Sequence, residues 1–347
     1  TYLESFLYVF LVIFSLIFIL NTLSELEFFK DIDVGIYFTL HLSLLNSPSM
    51  IFEMYPFIFL LCTQFFFIKL FNNNELEVFK YSGLKNSSIL IIISFLSLFV
   101  GIIIVTVFYN FSANLKNFYL EKKSQYTTDG KYLAVVTKNG LWIKDEIDDK
   151  IYVINSTEIK DNFLIDNFIT EFNKNYEVIR NVQSKKIDVS KKQWIISNAK
   201  IYNNNDYEIK EVLKINTNFN YKRITTLYSN LSSLNFFQII ELKNNYKKLN
   251  YSLTEVNMQI LKIITFPLYL ILITILTALI MFKIKRLDTT TFKISLGLFI
   301  SVIIYYINNF FLVMGNTERI PLIFAIFTPL VILGLFNTFM IYKINEK

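Results

Sequence analysis

The chain has one cysteine, Cys62, one histidine, His41, and only 8 glycines and 5 prolines among 347 residues. A single cysteine excludes an intramolecular disulfide, so any folded domain must hold together by packing. A single histidine in a mostly apolar stretch, with no second His or Cys to join it, leaves a zinc site without ligands. Neither a GxGxxG nor a GxxxxGK[ST] loop occurs, and there is no HExxH and no paired nucleophile and base. Any ATP used in this protein's work is therefore expected on another subunit; the chain itself calls for no cofactor. Charge is also missing, over six long stretches.

A bilayer core is crossed by roughly 20 mainly apolar helical residues, and a charge at its centre costs about 2.5 to 3.5 kcal/mol. Charge-free runs occupy 5–21, 54–71, 88–111, 263–282, 294–315 and 320–342, interrupted only by Lys69, which lies near an end and can snorkel. The hydrophobic share of 53% exceeds that of a soluble chain, and the excess sits in those runs. The expected fold class is an α-helical membrane protein with six transmembrane helices, three and three, around an inserted all-β domain. The expected division is 1–111 for the first three spans, 112–258 for the insert and 259–347 for the last three. Residues 34–45 are apolar but too short to cross and are broken by Asn46-Ser47-Pro48, so they are read as a surface-lying segment. The 36 Phe, 21 Tyr and many Asn and Lys fit residues drawn from AT-rich codons, so the Asn runs are not read as functional.

Lys283, Lys285, Arg286 and Lys293 outweigh Asp288 between spans four and five, which places that loop in the cytoplasm. Lys343 and Lys347 place the tail there too. Alternation then puts the insert outside, along with the acidic loop 22–53. The +6 net charge is in part an orientation signal and is poor evidence for nucleic acid. The first span starts almost at residue 1 without Met, so a short preceding segment is expected. The flank Asn21-Thr22-Leu23-Ser24 is not a small-residue cleavage site, which favours retention as a span over a signal peptide.

Within the insert, short alternating segments at 131–137, 141–144, 150–155, 162–172, 177–182, 193–202 and 207–217 read as strands, with Asn139-Gly140 as a hairpin signal. Their spacing suggests an antiparallel sandwich, jelly roll or open barrel, with Trp142 and Trp194 packed inside. Residues 233–251 read as an amphipathic helix returning the chain to the membrane.

The loop at 72–87 carries the most chemical information. Asn74 can cap a helix whose first turn holds Glu75 and Glu77, Leu76 shares a face with Phe79 or Lys80, and Gly83 can end it in the left-handed conformation. A short helix at 74–83 lying along the membrane is what a permease presents to a cytosolic motor. An ordinary capped surface helix has the same local signature. In span five, Tyr305, Tyr306, Asn308 and Asn309 set polar groups at membrane depth, where they must face protein or a cavity. Pro267 and Pro329 suggest kinks in spans four and six.

Ser47-Pro48-Ser49, then Glu53-Met54-Tyr55-Pro56-Phe57, then the run from Asn74 to Gly83, and in the insert Asn139-Gly140-Leu141-Trp142-Ile143-Lys144-Asp145 and Gln193-Trp194-Ile195-Ile196, follow a recognisable order. Together with the three-insert-three layout they resemble the lipopolysaccharide-export permeases LptF and LptG, the Trp142 strand being more like the LptG side. The resemblance covers essentially the whole chain. It implies no catalytic role for this chain and a function as permease subunit of an ABC transporter in the inner membrane of a Gram-negative bacterium. Such a subunit extracts lipopolysaccharide and passes it through a periplasmic jelly-roll domain to a bridge. The partners implied are an LptF-like paralogue, a cytosolic LptB-like ATPase dimer, single-span LptC-like and periplasmic LptA-like bridge proteins, lipopolysaccharide and membrane lipids.

The resemblance also implies a coupling role for Glu75, Leu76, Phe79 and Gly83, and assigns spans one and five to lateral gates. Lys30, Tyr305, Asn308 and Asn309 become the expected substrate contacts, although the outer end of span one carries only Lys30 where the family is basic. Other readings of the layout are a MacB-like or lipoprotein-release permease, against which the six spans argue, and a membrane scaffold or sensor with an exposed β domain.

Overall fold

The computed structural model describes residues 2–345 except 33, 125, 127–140, 148–149, 161, 204–205, 222–223, 225–229, 249–251 and 284–288. The expected strand at 131–137, the Asn139-Gly140 hairpin, Lys285, Arg286, Asp288 and Lys347 lie outside the described residues. In chain order the helices are α1 (Tyr2–Phe28), α2 (Ile36–Asn72), α3 (Glu75–Tyr81) and α4 (Asn86–Ile103), which continues through a π turn (Ile104–Phe108) into α5 (Tyr109–Ser124). Strands β1 (Leu141–Ile147), β2 (Lys150–Lys160), β3 (Phe163–Phe172), β4 (Val178–Asp188), β5 (Gln193–Asn203) and β6 (Asp206–Asn216) follow. Then come α6 (Phe236–Lys248), α7 (Thr254–Lys283), α8 (Thr290–Asn316) and α9 (Leu322–Asn345). Two compact units result, one formed by Thr1–Lys116 with Thr254–Lys347, the other by Asn117–Leu253.

Among the described residues six helices are long and apolar enough to cross a membrane, the third running on to Lys123. The second is the hub, 72% of its most apolar window being buried. Residues 34–45 do not form the surface-lying segment expected of them: the helix starting at Ile36 runs unbroken through Pro48 and Pro56 to Asn72. A proline inside a helix costs about 3 kcal/mol, but here tertiary bonding outweighs it. Leu42, Ser43, Leu45, Ser47 and Pro48 are buried, Asn21 on α1 donates to the Ser43 carbonyl at 2.9 Å, and Ser47 Oγ donates to the same carbonyl at 2.6 Å. The buried stripe of α1, Ser5, Val9, Ile13, Ile17, Asn21 and Glu25, recurs every fourth residue along one ridge.

Hydroxyls tie four helices together. Tyr2 Oη lies 3.3 Å from both Thr63 Oγ1 and Ser97 Oγ, and Ser97 Oγ donates to Thr274 Oγ1 at 3.0 Å. Nearby, a Cβ on Gly101 would stand 3.2 Å from the Pro267 backbone, so the missing side chain lets α4 and α7 approach closely.

The insert is an antiparallel sheet in the order β1-β2-β3-β4-β5-β6, every strand pairing with its neighbour in sequence. Trp194 is buried, with its indole N–H donating to the Phe219 carbonyl at 2.9 Å. Trp142 is not in the core as expected but 53% exposed, because Leu141, Ile143 and Asp145 take the inward positions of β1 and alternation turns residue 142 out. The buried Asp145 accepts from the backbone N–H and side-chain amide of Asn218 at 2.9 and 2.8 Å.

A crease crosses this sheet. Pairing is skipped along the row Thr157, Asp166, Lys185, Asn198 and Glu211, although the register on either side is unchanged. Asp166 and Asn198 stand in the left-handed region, with φ of 47° and 49°, a conformation that Asn and Asp tolerate best among residues with a side chain. Burial changes phase at the row: Leu164 gives way to Asn167 and Ile169, Ser184 to Ile187, and Ile196 to Ala199 and Ile201. Buried Ser156, Asn167 and Ser184 lie beside it in one register line. Ser156 Oγ donates to Asn167 Oδ1 at 2.5 Å, Asn167 Nδ2 to the Leu164 and Ser184 carbonyls at 2.9 and 3.3 Å, and Ser184 Oγ to the Ser197 carbonyl at 2.7 Å. These side chains bond backbone where the ladder is interrupted.

Glu171 is buried between two cations: Lys150 Nζ lies 2.7 Å from Oε1, and Arg180 Nε donates to Oε2 at 2.6 Å. Burial disfavours its charged form, but the hydrogen bonds and charges of Lys150 and Arg180 prevail and hold the carboxyl below its ordinary value of 4.5.

Two outcomes are expected. Asn167→Ala leaves several buried groups unpaired and should destabilise the insert by about 1–3 kcal/mol, read by denaturant unfolding of the full chain with tryptophan fluorescence. The Glu171 contribution is fully present above pH 4.5 and is lost as pH falls through the lower folded value. Glu171→Gln should therefore flatten the loss of stability below pH 4.5 in the same assay; an unchanged acid slope rules that contribution out.

Candidate functional site

A cavity of about 730 Å³ opens within the helical unit, walled by α2, α7, α8 and α9. Phe52, Phe57, Phe266, Leu312 and Leu330 give it an apolar lining. Polar groups enter mainly from α8, where Ser301, Tyr305, Tyr306, Asn308, Asn309 and Asn316 reach it. Their spacing sets successive turns of one helix against the same space. Thus the structure brings together three of the four expected substrate contacts, Tyr305, Asn308 and Asn309. Lys30 is elsewhere: it is exposed in the turn that follows α1 and does not line the cavity.

Two charged residues also line the cavity: Lys262 on α7 and Glu53 on α2, which stand just outside the charge-free runs 263–282 and 54–71, both lie inside longer helices. Lys116, on α5, is close enough to Glu53 to interact with it electrostatically. The signal available in the sequence was helix length, since a helix that extends beyond its charge-free run carries its flanking charges with it. An apolar wall with amides, phenols and a few charges is suited to an amphiphile carrying acyl chains and a charged head.

α1 and α8 are the least covered spans of the helical unit. Only 17% of the most apolar window of α1, and the same share of α8, is buried. Leu7, Leu11, Leu16 and Leu20 are exposed on the first, and Phe299, Val302, Tyr306 and Phe310 on the second.

The short helix α3 is held down from beneath. Leu76 is buried in a cluster with Phe67, Leu70, Ile89, Leu90, Leu279 and Met281, and Phe79 is half-buried against it. Leu76 and Phe79 thus fasten the helix to the ends of α2, α4 and α7. Asn74 enters it with φ of 60°, and Asn73 Nδ2 donates to Glu75 Oε1 at 3.0 Å. At its end Gly83 has φ of +79°, and the Leu84 N–H donates to the Phe79 carbonyl at 3.0 Å, a Schellman closure that a side chain at residue 83 would strain. Glu75 is half-buried and Glu77 exposed. Val78 and Tyr81, 59% and 90% exposed, form an outward apolar knob that the sequence reading did not single out.

Among the described residues no group of three or more His, Cys, Asp and Glu is placed to hold a metal ion. No curated protein matched the chain in a sequence comparison. The sequence profile of the lipopolysaccharide export system permeases LptF/LptG matches residues 1–343, and with its six candidate spans around an antiparallel β insert the chain belongs to that family.

Proposed function

We propose that this permease is one half of an ATP-driven extractor of lipopolysaccharide, the LptG-like partner of an LptF-like paralogue. The observation that carries this reading is the pairing of the cavity with two unpartnered helix faces. The cavity is lined from α8, and α8 and α1 are the two spans with least burial. A second, similar subunit set against those faces would enclose a larger space between the two chains, with room for several acyl chains. Lateral parting of α1 and α8 from the partner would admit lipid from the outer leaflet.

Within that space Tyr305, Asn308 and Asn309 contact the lipid, the aromatic and aliphatic wall receives acyl chains, and Lys262 meets a phosphate as a point charge. Lys30 contributes to the outer rim. A lysine beside an apolar wall can extend its stem along that wall while its ammonium reaches the headgroup.

The motor side is α3. Its first turn presents Glu75 and Glu77, and Val78 with Tyr81 supplies an apolar plug for a groove on an LptB-like ATPase dimer. The tight fastening of Leu76 and Phe79 lets a push on the plug reach α2, α4 and α7. ATP binds and is hydrolysed on that dimer. The loop charges support a periplasmic β insert, which hands lipid to LptC-like and LptA-like bridge proteins.

Co-expression with a paralogue and its ATPase should give one complex that extracts lipopolysaccharide from proteoliposomes in an ATP-dependent way; a chain that purifies alone, with no extraction, sinks the proposal. Val78→Asp or Glu75→Lys should lower ATPase recovery in pull-downs by roughly tenfold, a loss of about 1.4 kcal/mol, while membrane insertion is retained. Recovery equal to that of the parent chain removes α3 as the docking helix. A photocrosslinker at Asn309 should capture lipopolysaccharide; capture from Lys30 with none from Asn309 would place the path outside the cavity.

A further inference from the structure

A turn of α2 about two turns before its end and the first turns of α8 meet at an unusual contact. Gln64, 1% exposed, donates through Nε2 to the backbone carbonyl of Lys293 at 2.9 Å. Its orientation is set by chemistry, because a carbonyl can only accept and so must face the amide nitrogen. The Gln64 amide lies against Gly297, where an added Cβ would come within 1.8 Å of Nε2 and 2.3 Å of Oε1. Oε1 is buried without a hydrogen-bond partner among the described residues. The Lys293 side chain is itself buried, its ammonium 4.9 Å from the centre of the Phe71 ring.

The two ends of this contact lie next to the two functional regions. Phe71 belongs to the end of α2 and packs against the cluster that holds Leu76 of α3. Asn73, two residues on, donates to Glu75. On the other side, Ser301 lies one helical turn beyond Gly297 and is the first α8 residue to line the cavity. The rest of α8 faces outward over most of its length, so this contact is where the helix is fixed to the hub on the α3 side.

We propose that Gln64, Gly297 and Lys293 form a rigid latch that carries displacement of α3 into α8, so that motor strokes move the cavity wall. Gln64 and Gly297 act as positioning residues in transport: neither lines the cavity nor lies on the docking helix. The proposal rests on the reading of α3 as the motor contact. The buried amide supplies direction, since a hydrogen bond to a carbonyl transmits both pull and push along one line. Gly297 supplies closeness, and the Lys293 ammonium over Phe71 ties the same turn of α8 to the end of α2.

The test is the number of lipopolysaccharide molecules extracted per ATP hydrolysed by the full complex in proteoliposomes. Gln64→Leu, close in volume and lacking the donor, should leave ATPase recovery and basal hydrolysis unchanged and lower that ratio at least fivefold. Gln64→Glu, neutral when buried and again a donor, should restore it to within twofold of the parent. Gly297→Ala should lower the ratio as Gln64→Leu does. An unchanged ratio in Gln64→Leu, or a loss of complex and hydrolysis in parallel with extraction, overturns the latch. No extraction by the parent complex would instead overturn the proposed function, so the two failures are distinguishable.

Discussion

In hydrocarbon, apolar side chains gain nothing by leaving lipid for one another, and every polar group must find its partner within the protein. The helical unit is organised by that constraint around α2. Its contacts with neighbours combine aromatic packing, such as Phe52 on Phe266 and Phe67 on Phe282, with side chains that bond across helices. Tyr2 reaches Thr63 and Ser97, Ser97 reaches Thr274, Asn21 reaches the Ser43 carbonyl, and Gln64 reaches the Lys293 carbonyl. Each bond satisfies a group that would be costly in lipid, and together they decide which helices touch. The same constraint is met beside Pro48, where the helix is buried against α1 and the Ser43 carbonyl accepts from Asn21 and Ser47.

The insert answers to the opposite solvent. In water the apolar surface supplies the drive, and the sheet buries Ile154, Leu164, Ile169, Val182, Ile187, Trp194 and Ile196 on its inner side. It is crossed by the crease, where left-handed residues on β3 and β5, the strands on either side of β4, stand at one level and a line of buried Ser and Asn side chains bonds the backbone. An apolar core alone would favour a flatter sheet with unbroken alternation.

In the proposed function the open faces of α1 and α8, the cavity and the anchored α3 make one arrangement. Both faces are apolar and suit lipid as well as a second membrane surface; the proposal assigns that surface to a paralogue and the knob of Val78 and Tyr81 to a motor.

The six spans, the strands from 141 to 217 and the helix near 74–83 were legible because each depends on local composition, charge-free length or alternation. Tyr305, Asn308 and Asn309 are polar groups costly in lipid by residue type alone; they border the cavity, with Tyr305 and Asn309 exposed in the single chain. Trp142 was misread because hydrophobicity does not reveal which parity of a strand faces inward, and its neighbours Leu141 and Ile143 settled that. The continuous α2 was misread because Pro48 breaks a helix only where no tertiary contact opposes it. Lys262 and Glu53 entered the cavity wall because helices run on past their apolar runs. The sequence by itself determined the solvent of each segment, through transfer free energy summed residue by residue. Only the tertiary structure decided which faces stayed open, where the sheet creased and how closely Gly297 approaches Gln64, because those depend on distances between residues far apart in the chain.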